Sequence, residues 1–250
     1  MTIVPDGYIE GIFNYCTRRC EQCSFSARCS LYLSEPEYER THPGATWEQH
    51  VHDSFAETFR LLEEWCTREG VDFEEIRRAA ESDEMDHDME RVEEAVRADP
   101  IQKLTAAYMH AAFKVLDAMA PARATRRWPG GVDTALDTIA WHAGMVSAKV
   151  YRALHGRAER GRFAEEDPVQ NDWNGSAKLA RILVAESKAA WDVVMRAGEA
   201  PADSPLLELV GLLARVDEGL TERFPDAMKF VRPGFDEKDG DAAAEPPDGK

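Results

Sequence analysis

Residues 133 to 155 of the chain read DTALDTIAWHAGMVSAKVYRALH, and this stretch has the clearest helical periodicity in the sequence. Its apolar side chains recur every three or four residues. They are Leu136, Ile139, Ala143, Val146, Val150 and Leu154. An α-helix turns once in about 3.6 residues, so this spacing puts all of them on one face. A helix with one long apolar face buries it against other helices, which predicts a helical bundle.

The same periodicity, bounded by helix-capping residues, recurs in most of the chain. Thr46 and Gln49 form a capping-box pattern at the start of one helix, and Gly70 ends it. Asp99 precedes Pro100, which gives another helix an N-cap and a first-turn proline. We predict helices over 46–69, 72–98, 100–119, 174–197 and 205–223. The helix over 72–98 has a break near Ser82, and Asn174 or Ser176 caps the helix over 174–197.

These helices define the predicted fold class. No segment has the two-residue alternation that is typical of a half-buried strand. We therefore predict an all-α protein, an antiparallel helical bundle of about four long helices plus accessory helices. The helix over 46–69 is expected to bury one face as well. That face consists of Trp47, Val51, Phe55, Phe59, Leu62 and Cys66.

Four of the five cysteines lie within fourteen residues near the N-terminus. They are Cys16, Cys20, Cys23 and Cys29, and their spacing is C-x3-C-x2-C-x5-C. So short a segment can bring four soft thiolates to one metal centre at little chain-closure cost. We predict that these four cysteines are metal ligands, whereas Cys66 is a small buried apolar residue.

The alternative to a metal is a pair of disulfides, which requires an oxidising compartment. The sequence MTIVPDGYIEGIFNYC has no basic stretch followed by a long apolar run, so we expect no secretory signal. No run approaches about 18 apolar residues, so we expect no membrane span. We therefore expect a cytoplasmic protein, in which this cysteine pattern favours a metal.

The spacing also bears on which metal is bound. Structural zinc sites usually combine two C-x2-C pairs that are separated by a longer loop. Four cysteines in one short run suit a cluster whose several irons each take one thiolate. We expect an iron-sulfur cluster of the 4Fe-4S type with a redox or structural role, and zinc is the alternative.

Parts of the cysteine run resemble motifs of known iron-sulfur proteins. Cys16-x3-Cys20-x2-Cys23, with Phe25 shortly after it, is similar to the motif of radical S-adenosylmethionine enzymes, in which three cysteines leave one iron open for the cofactor. Cys20-x2-Cys23-x5-Cys29 is similar to the C-terminal cluster of RecB-like iron-sulfur nucleases. The chain has neither the strand and helix alternation of the first family nor the catalytic Asp and Glu-x-Lys strand motifs of the second.

A third resemblance involves more of the chain. The N-terminal cysteine run, Gly175-Ser-Ala-Lys178 and the sequence FVRPGF at residues 230–235 together resemble an uncharacterised bacterial protein family with an N-terminal four-cysteine cluster. This resemblance implies no activity.

Charge is distributed unevenly along the 250 residues, whose formal net charge is −17. Val71–Asp99 holds twelve acidic and four basic residues, whereas residues 121–162 hold eight basic and three acidic ones. Nucleic-acid affinity rests on neutralising phosphates with basic side chains, so this acidic chain is a poor nucleic-acid binder. A protein partner for one of the charged faces and a small anionic ligand both stay open as candidates.

We predict three parts along the chain. Residues 1–44 form an N-terminal segment that contains the metal loop, and residues 45–235 form a helical bundle domain. Residues 236–250, DEKDGDAAAEPPDGK, have no aromatic residue and no aliphatic residue larger than alanine. A segment of this composition has nothing to bury, so we predict a disordered acidic tail.

The start of the helix near Ser176 is a second candidate site. A helix N-terminus presents free N–H groups and partial positive charge, which favour an anion. Antiparallel packing would bring Lys149 and Arg152, from the end of the preceding helix, close to Ser176 and Lys178. We predict that these four residues bind a small anion, and ordinary helix capping is the alternative.

Two further residues on the predicted bundle helices are chemically notable. Glu186 lies near an apolar stripe and is expected to pair with an arginine or lysine of a neighbouring helix. His142 is expected to be a hydrogen-bonded core histidine. Acidic side chains such as Asp172 or Glu186 would also neutralise the predicted cation cluster without any ligand.

The function implied by the sequence is metal binding, with three forms left open. The first is an iron-sulfur protein, and the second is a zinc-stapled module that binds a protein partner. The third is an enzyme or binder of a small anionic ligand, in which the metal is structural. The sequence contains no recognisable set of nucleophile, base and acid, so catalytic residues are not assigned.

Overall fold

The computed structural model describes residues 7–80, 83–125, 128, 130–160, 167–198, 200 and 205–236. Of the described residues, 78% are helical, and they form eight α-helices and no strand. This confirms the predicted all-α fold. None of the helices among the described residues combines the length and apolar content that crossing a bilayer requires.

The helices follow one another with short connections. They are α1 Ser30–Thr41, α2 Trp47–Glu69, α3 Phe73–Ala80, α4 Asp83–Ala98, α5 Pro100–Thr125, α6 Val132–Ala158, α7 Asp172–Ala197 and α8 Leu206–Arg223. Four short 3-10 turns lie outside them, over Ile12–Asn14, Cys20–Gln22, Ser26–Arg28 and Ala227–Lys229.

The chain divides into two compact units. The first contains Met1–Phe13 and Arg18–Arg91, and the second contains Asn14–Thr17 and Val92–Lys250. The division that we predicted from the sequence, after residue 44, differs from this one. The helices up to residue 91 belong to the same unit as the cysteine-containing segment that follows residue 17. In this unit α1 contacts the Ser26–Arg28 turn, and α2 contacts α3.

The second unit is built around a four-helix bundle. In it, α5 contacts α6 and α8, and α7 contacts the same two helices. Ion pairs join the end of one helix to the start of its neighbour, which makes these neighbours antiparallel. They are Arg123 with Asp137, Arg152 with Asp172, and Arg223 with Asp99.

The apolar face of α6 is the centre of the core, as its periodicity predicts. Each of its six predicted core side chains is buried. On α5, Ile101, Tyr108, Ala112, Val115 and Met119 are buried as well, and Leu104 is half-buried against the same core. Small residues such as Ala143, Ala177 and Ala180 lie buried between α6 and α7, which lets the two helices approach closely.

A buried polar contact crosses the bundle between α5 and α7. The Trp191 Nε1 atom donates a hydrogen bond to the Tyr108 hydroxyl at 3.2 Å, and both side chains are fully buried. Burial raises the pKa of Tyr108. The contact satisfies an indole N–H that has no access to water at this position.

In the first unit, the ends of α2 agree with the prediction but its apolar face does not. The capping box of Thr46 and Gln49 is present, and Gly70 adopts the left-handed conformation at the C-cap. Cys66 is buried, as predicted. The predicted burial of Trp47, Phe55 and Phe59 is wrong, because all three side chains are exposed. Periodicity identifies an apolar face but does not establish that another helix covers it.

Two other helix starts differ from the sequence analysis. Helix α1 was not predicted, and Pro36 lies inside it. Helix α7 begins earlier than predicted, because the Asn171 side chain accepts a hydrogen bond from the Asn174 N–H at 2.9 Å and so caps the helix. Asn174 and Ser176, the predicted caps, therefore lie inside α7.

We predict that Tyr108→Phe lowers the free energy of unfolding by about 1–2 kcal/mol, because the buried Trp191 N–H loses its acceptor. Urea unfolding monitored by circular dichroism measures the effect. Tyr32→Phe is the matched control, since Tyr32 is exposed, and we expect a change below about 0.5 kcal/mol. Equal stability of the Tyr108→Phe and wild-type proteins would contradict a structural role for the contact.

Candidate functional site

None of the five cysteines is part of a disulfide in the structure. Cys16, Cys20 and Cys23 are partly exposed, whereas Cys29 and Cys66 are buried. Three of the four cysteines of the predicted metal loop are therefore accessible to solvent.

A tight turn in the first unit connects two of these cysteines. Residues Cys20–Gln22 form a 3-10 turn, and the Cys23 N–H donates to the Cys20 carbonyl at 3.1 Å. In a 3-10 turn the side chains of residues i and i+3 lie above one another. The C-x2-C spacing therefore corresponds to a folded turn that presents both side chains on the same side.

A second turn of the same kind leads to Cys29. The Cys29 N–H donates to the Ser26 carbonyl at 3.2 Å, and Cys29 is the N-cap residue of α1. The Ile9 N–H donates to the Arg28 carbonyl at 3.1 Å, and the Arg28 guanidinium donates to the Gly7 carbonyl. Residues 7–9 are thus hydrogen-bonded to the turn that precedes Cys29.

Cys16 belongs to a short segment of the second unit, residues 14–17, which we call the strap. Lys149 of α6 donates from Nζ to the Asn14 carbonyl at 2.8 Å. Trp141, also of α6, donates from Nε1 to the Thr17 carbonyl at 2.7 Å. Both ends of the strap are therefore fixed on α6, with Cys16 between them.

Tyr15 fixes the strap on α7. Its hydroxyl donates to Asp172 at 3.0 Å, and its ring packs against Phe230 with 4.7 Å between ring centroids. Burial and the neighbouring Asp172 carboxylate raise the pKa of Tyr15. Tyr15 is therefore neutral and acts as a hydrogen-bond donor at ordinary pH.

Gly175 makes the position of Tyr15 possible. A Cβ atom at residue 175 would lie 2.7 Å from the Phe230 Cζ atom and closer still to the Tyr15 ring. Glycine inside a helix costs roughly 1 kcal/mol relative to alanine, so its presence there is a signal of close packing. The sequence analysis missed Tyr15 and Phe230, although Gly175 inside a helix could have indicated a close neighbour.

The four residues of the predicted anion site lie in this region, but the cations already have partners. Arg152 forms two hydrogen bonds to Asp172, at 2.8 and 2.6 Å. Lys178 donates to the Phe230 carbonyl at 2.6 Å and pairs with Asp236 at 2.6 Å. Ser176 is fully buried inside α7.

The anion-site expectation is corrected accordingly. Antiparallel packing brings Arg152 to the start of α7, as expected, but Asp172 lies in the first turn and supplies the negative charge there. Lys149 bonds to a strap carbonyl. These cations fasten segments of the chain, so we do not propose an anion site.

Asp236 is the residue at which the predicted tail boundary needs correction. Burial by itself would raise the pKa of Asp236, but hydrogen bonds from Arg232 and Lys178 outweigh it and hold the pKa well below its usual range. The residue is therefore an ionised, docked carboxylate and not part of a free tail. Residues 237–250 lie outside the described residues.

Glu186 and His142 form a contact between α7 and α6. The Glu186 Oε2 atom lies 3.5 Å from the His142 Nε2 atom, and His142 is buried while the Glu186 side chain is half exposed. His142 is therefore one partner of Glu186, and the expected arginine or lysine partner stays a prediction. His142 is a core histidine next to a carboxylate, in agreement with the simpler expectation for it.

Among the described residues, no group of three or more His, Cys, Asp or Glu side chains is already arranged to hold a metal ion. The predicted convergence of the four cysteines therefore stays a prediction. Comparison with protein-family models, with curated proteins and with solved structures found no match for this chain.

We predict that Gly175→Ala destabilises the protein by about 2 kcal/mol, because the new methyl group overpacks against Tyr15 and Phe230. Urea unfolding measures the change. Gly144→Ala is the matched control, since it also lies within a helix but has no atom within 4 Å of the added Cβ. We expect this control to be neutral or stabilising by up to ~1 kcal/mol. Equal effects of both variants would contradict the close approach of Tyr15.

We predict that Asp236→Asn lowers the free energy of unfolding at pH 7 by about 2 kcal/mol, because Lys178 and Arg232 lose a charged acceptor. The pKa of Asp236 is lower in the folded than in the unfolded chain. Its stabilisation is therefore complete above the unfolded value of about 3.9 and declines as the pH falls. The difference between variant and wild type should shrink in urea titrations at acidic pH. Asp192→Asn, in an exposed ion pair, should cost less than about 0.5 kcal/mol.

Proposed function

We propose that the chain is a metal-binding protein in which Cys16, Cys20, Cys23 and Cys29 ligate one metal centre. The spacing of four thiols in fourteen residues is the observation that carries this proposal. Four soft thiolates suit an iron-sulfur cluster or Zn²⁺. The bound group would supply either a redox couple or a structural cross-link.

The local structure of the donors supports the proposal. None of the four cysteines is part of a disulfide. Cys20 and Cys23 flank one 3-10 turn, and Cys29 caps α1, where the helix N-terminus favours negative charge. Each of these local structures reduces the conformational entropy that the ligating segments lose when a metal binds.

We propose an iron-sulfur cluster, of the 4Fe-4S type, as the bound group. The four cysteines lie in one run without the long loop that separates the two pairs of a structural zinc site. Zinc is the alternative, since the C-x2-C turn of Cys20 and Cys23 is also suitable for half of a tetrahedral zinc site. Free thiols and metal ligation both fit a reducing cytoplasm.

We predict that protein purified without oxygen contains iron and acid-labile sulfide and has broad visible absorbance. Cys23→Ser should lose most of both the metal and the absorbance, because serine is a poor ligand for soft metals. Cys66→Ser is the matched control, since Cys66 is buried in α2 outside the run, and it should keep the metal. Metal analysis by mass spectrometry and visible spectroscopy measure the outcome.

The same measurement separates the two metals. Colourless protein with one equivalent of zinc, lost in Cys23→Ser, would replace the iron-sulfur cluster with a zinc site. Metal-free protein after anaerobic expression with added iron and zinc would contradict the proposal. Equal loss of metal from the Cys66→Ser and Cys23→Ser proteins would also contradict it.

A further inference from the structure

Helix α2 carries an exposed apolar face, which we call the α2 face. Its large side chains are Trp47, Phe55, Phe59, Leu61 and Trp65, with relative exposures of 75%, 63%, 58%, 47% and 44%. They lie along one broad side of a regular helix that is capped at both ends. Val51 and Leu62 are partly buried on the same side and make the surface continuous.

The α2 face is as large as the largest apolar patches on monomeric proteins. Aromatic side chains bury roughly 150–250 Å² each, so the four aromatic residues of the face expose on the order of 500 Å² at the fractions given above. The largest apolar patch on a monomeric protein is roughly 300–600 Å² and is often functional. The α2 face is therefore large enough to be a binding surface.

Acidic side chains border this face. Helix α2 holds six acidic residues and two basic ones, a net charge of −4. Arg60 already pairs with Glu57 and Glu64 along the helix. The exposed carboxylates of Glu48 and Glu63 lie beside the aromatic residues. Because Arg60 is paired with Glu57 and Glu64, it does not neutralise the charge of these two carboxylates.

This charge decides which occupant fits. A second copy of α2 would bring two helices of charge −4 together, and like charges across an interface are unfavourable. Membrane surfaces are usually negative and attract basic helices, so they are a poor match as well. A basic amphipathic helix matches both the apolar side chains and the acidic border.

We propose that the α2 face binds a basic amphipathic helical segment of a partner protein. The apolar side of that segment would cover Trp47, Phe55, Phe59 and Trp65, and its lysine or arginine side chains would meet the acidic border. Burial of aromatic residues would supply most of the affinity, and the charges would supply orientation and selectivity. This inference does not depend on the identity of the metal.

The test uses the full chain and a synthetic helical peptide of leucine and lysine, with leucine every three or four residues. Calorimetric titration should show saturable binding, with weaker binding at high salt because ions screen the charges. A leucine–glutamate peptide of the same pattern should not bind. Phe55→Ser combined with Phe59→Ser should weaken binding at least tenfold. Leu207→Ser is the matched control, since Leu207 is 80% exposed on α8, and it should bind as the wild type does.

A second variant keeps the test decisive if the serine variant fails to fold. Glu48→Lys with Glu63→Lys leaves the aromatic residues in place, brings the net charge of α2 from −4 to zero, and should abolish the preference for the leucine–lysine peptide. Undiminished binding in the variant that lacks Phe55 and Phe59, or equal binding of both peptides to the wild-type protein, would overturn the proposal. A wild-type dimer in sedimentation that these substitutions dissociate would assign the face to a second copy. Equivalent binding to phosphatidylserine vesicles would assign it to a membrane.

Discussion

The antiparallel contact between α6 and α7 is the interaction on which the second unit depends. Alanine and valine side chains lie buried along it, so the two helix axes approach closely over most of their length. This contact fixes which residues face one another. Arg152 meets Asp172 at one end, and His142 meets Glu186 farther along. The two helices also provide the surface that holds the strap. Lys149 and Trp141 of α6 donate hydrogen bonds to it, and Gly175 of α7 leaves room for Tyr15.

Side-chain donors on this surface, two of them buried lysines, satisfy backbone groups that secondary structure does not. The carbonyls of Asn14, Thr17 and Phe230 lie in or beside irregular segments, where no neighbouring strand or helix turn supplies an N–H. Lys149, Trp141 and Lys178 donate to them. A buried carbonyl without a donor would cost about 1–3 kcal/mol. The two lysines that resemble ligand-binding residues in the sequence therefore have a structural role in holding extended chain on a helical bundle.

The difference between local patterns and contacts made only after folding explains how much of the structure the sequence could predict. Periodicity and capping depend only on neighbours along the chain, and they predicted the long helices, the core face of α6 and the capping box of α2. The partner of Lys178 depends on where Asp236 lies after folding, 58 positions away in sequence, and no local pattern records that. The exposed face of α2 shows a second limit of sequence analysis. An amphipathic pattern indicates that a helix has an apolar face, but it does not say whether the same chain or another one covers that face. Gly175 is a position where a local oddity, glycine inside a helix, could have indicated a tertiary contact, and Gly219 of α8, which packs against Ile101, is another.

The fixed position of the strap also bears on the proposed metal centre. Tyr15 bonds to Asp172, and the neighbouring Thr17 carbonyl accepts a bond from Trp141, so the backbone on both sides of Cys16 is held in place. Arg18, which follows, adopts a left-handed conformation with φ 58°, an uncommon state for a residue other than glycine. A ligand whose backbone is already ordered loses less entropy on binding than a free one. The backbone of Cys16 would therefore lose less entropy than a free segment when its thiolate binds a metal, and weakening the strap at Tyr15 should increase that loss even though Tyr15 is no ligand.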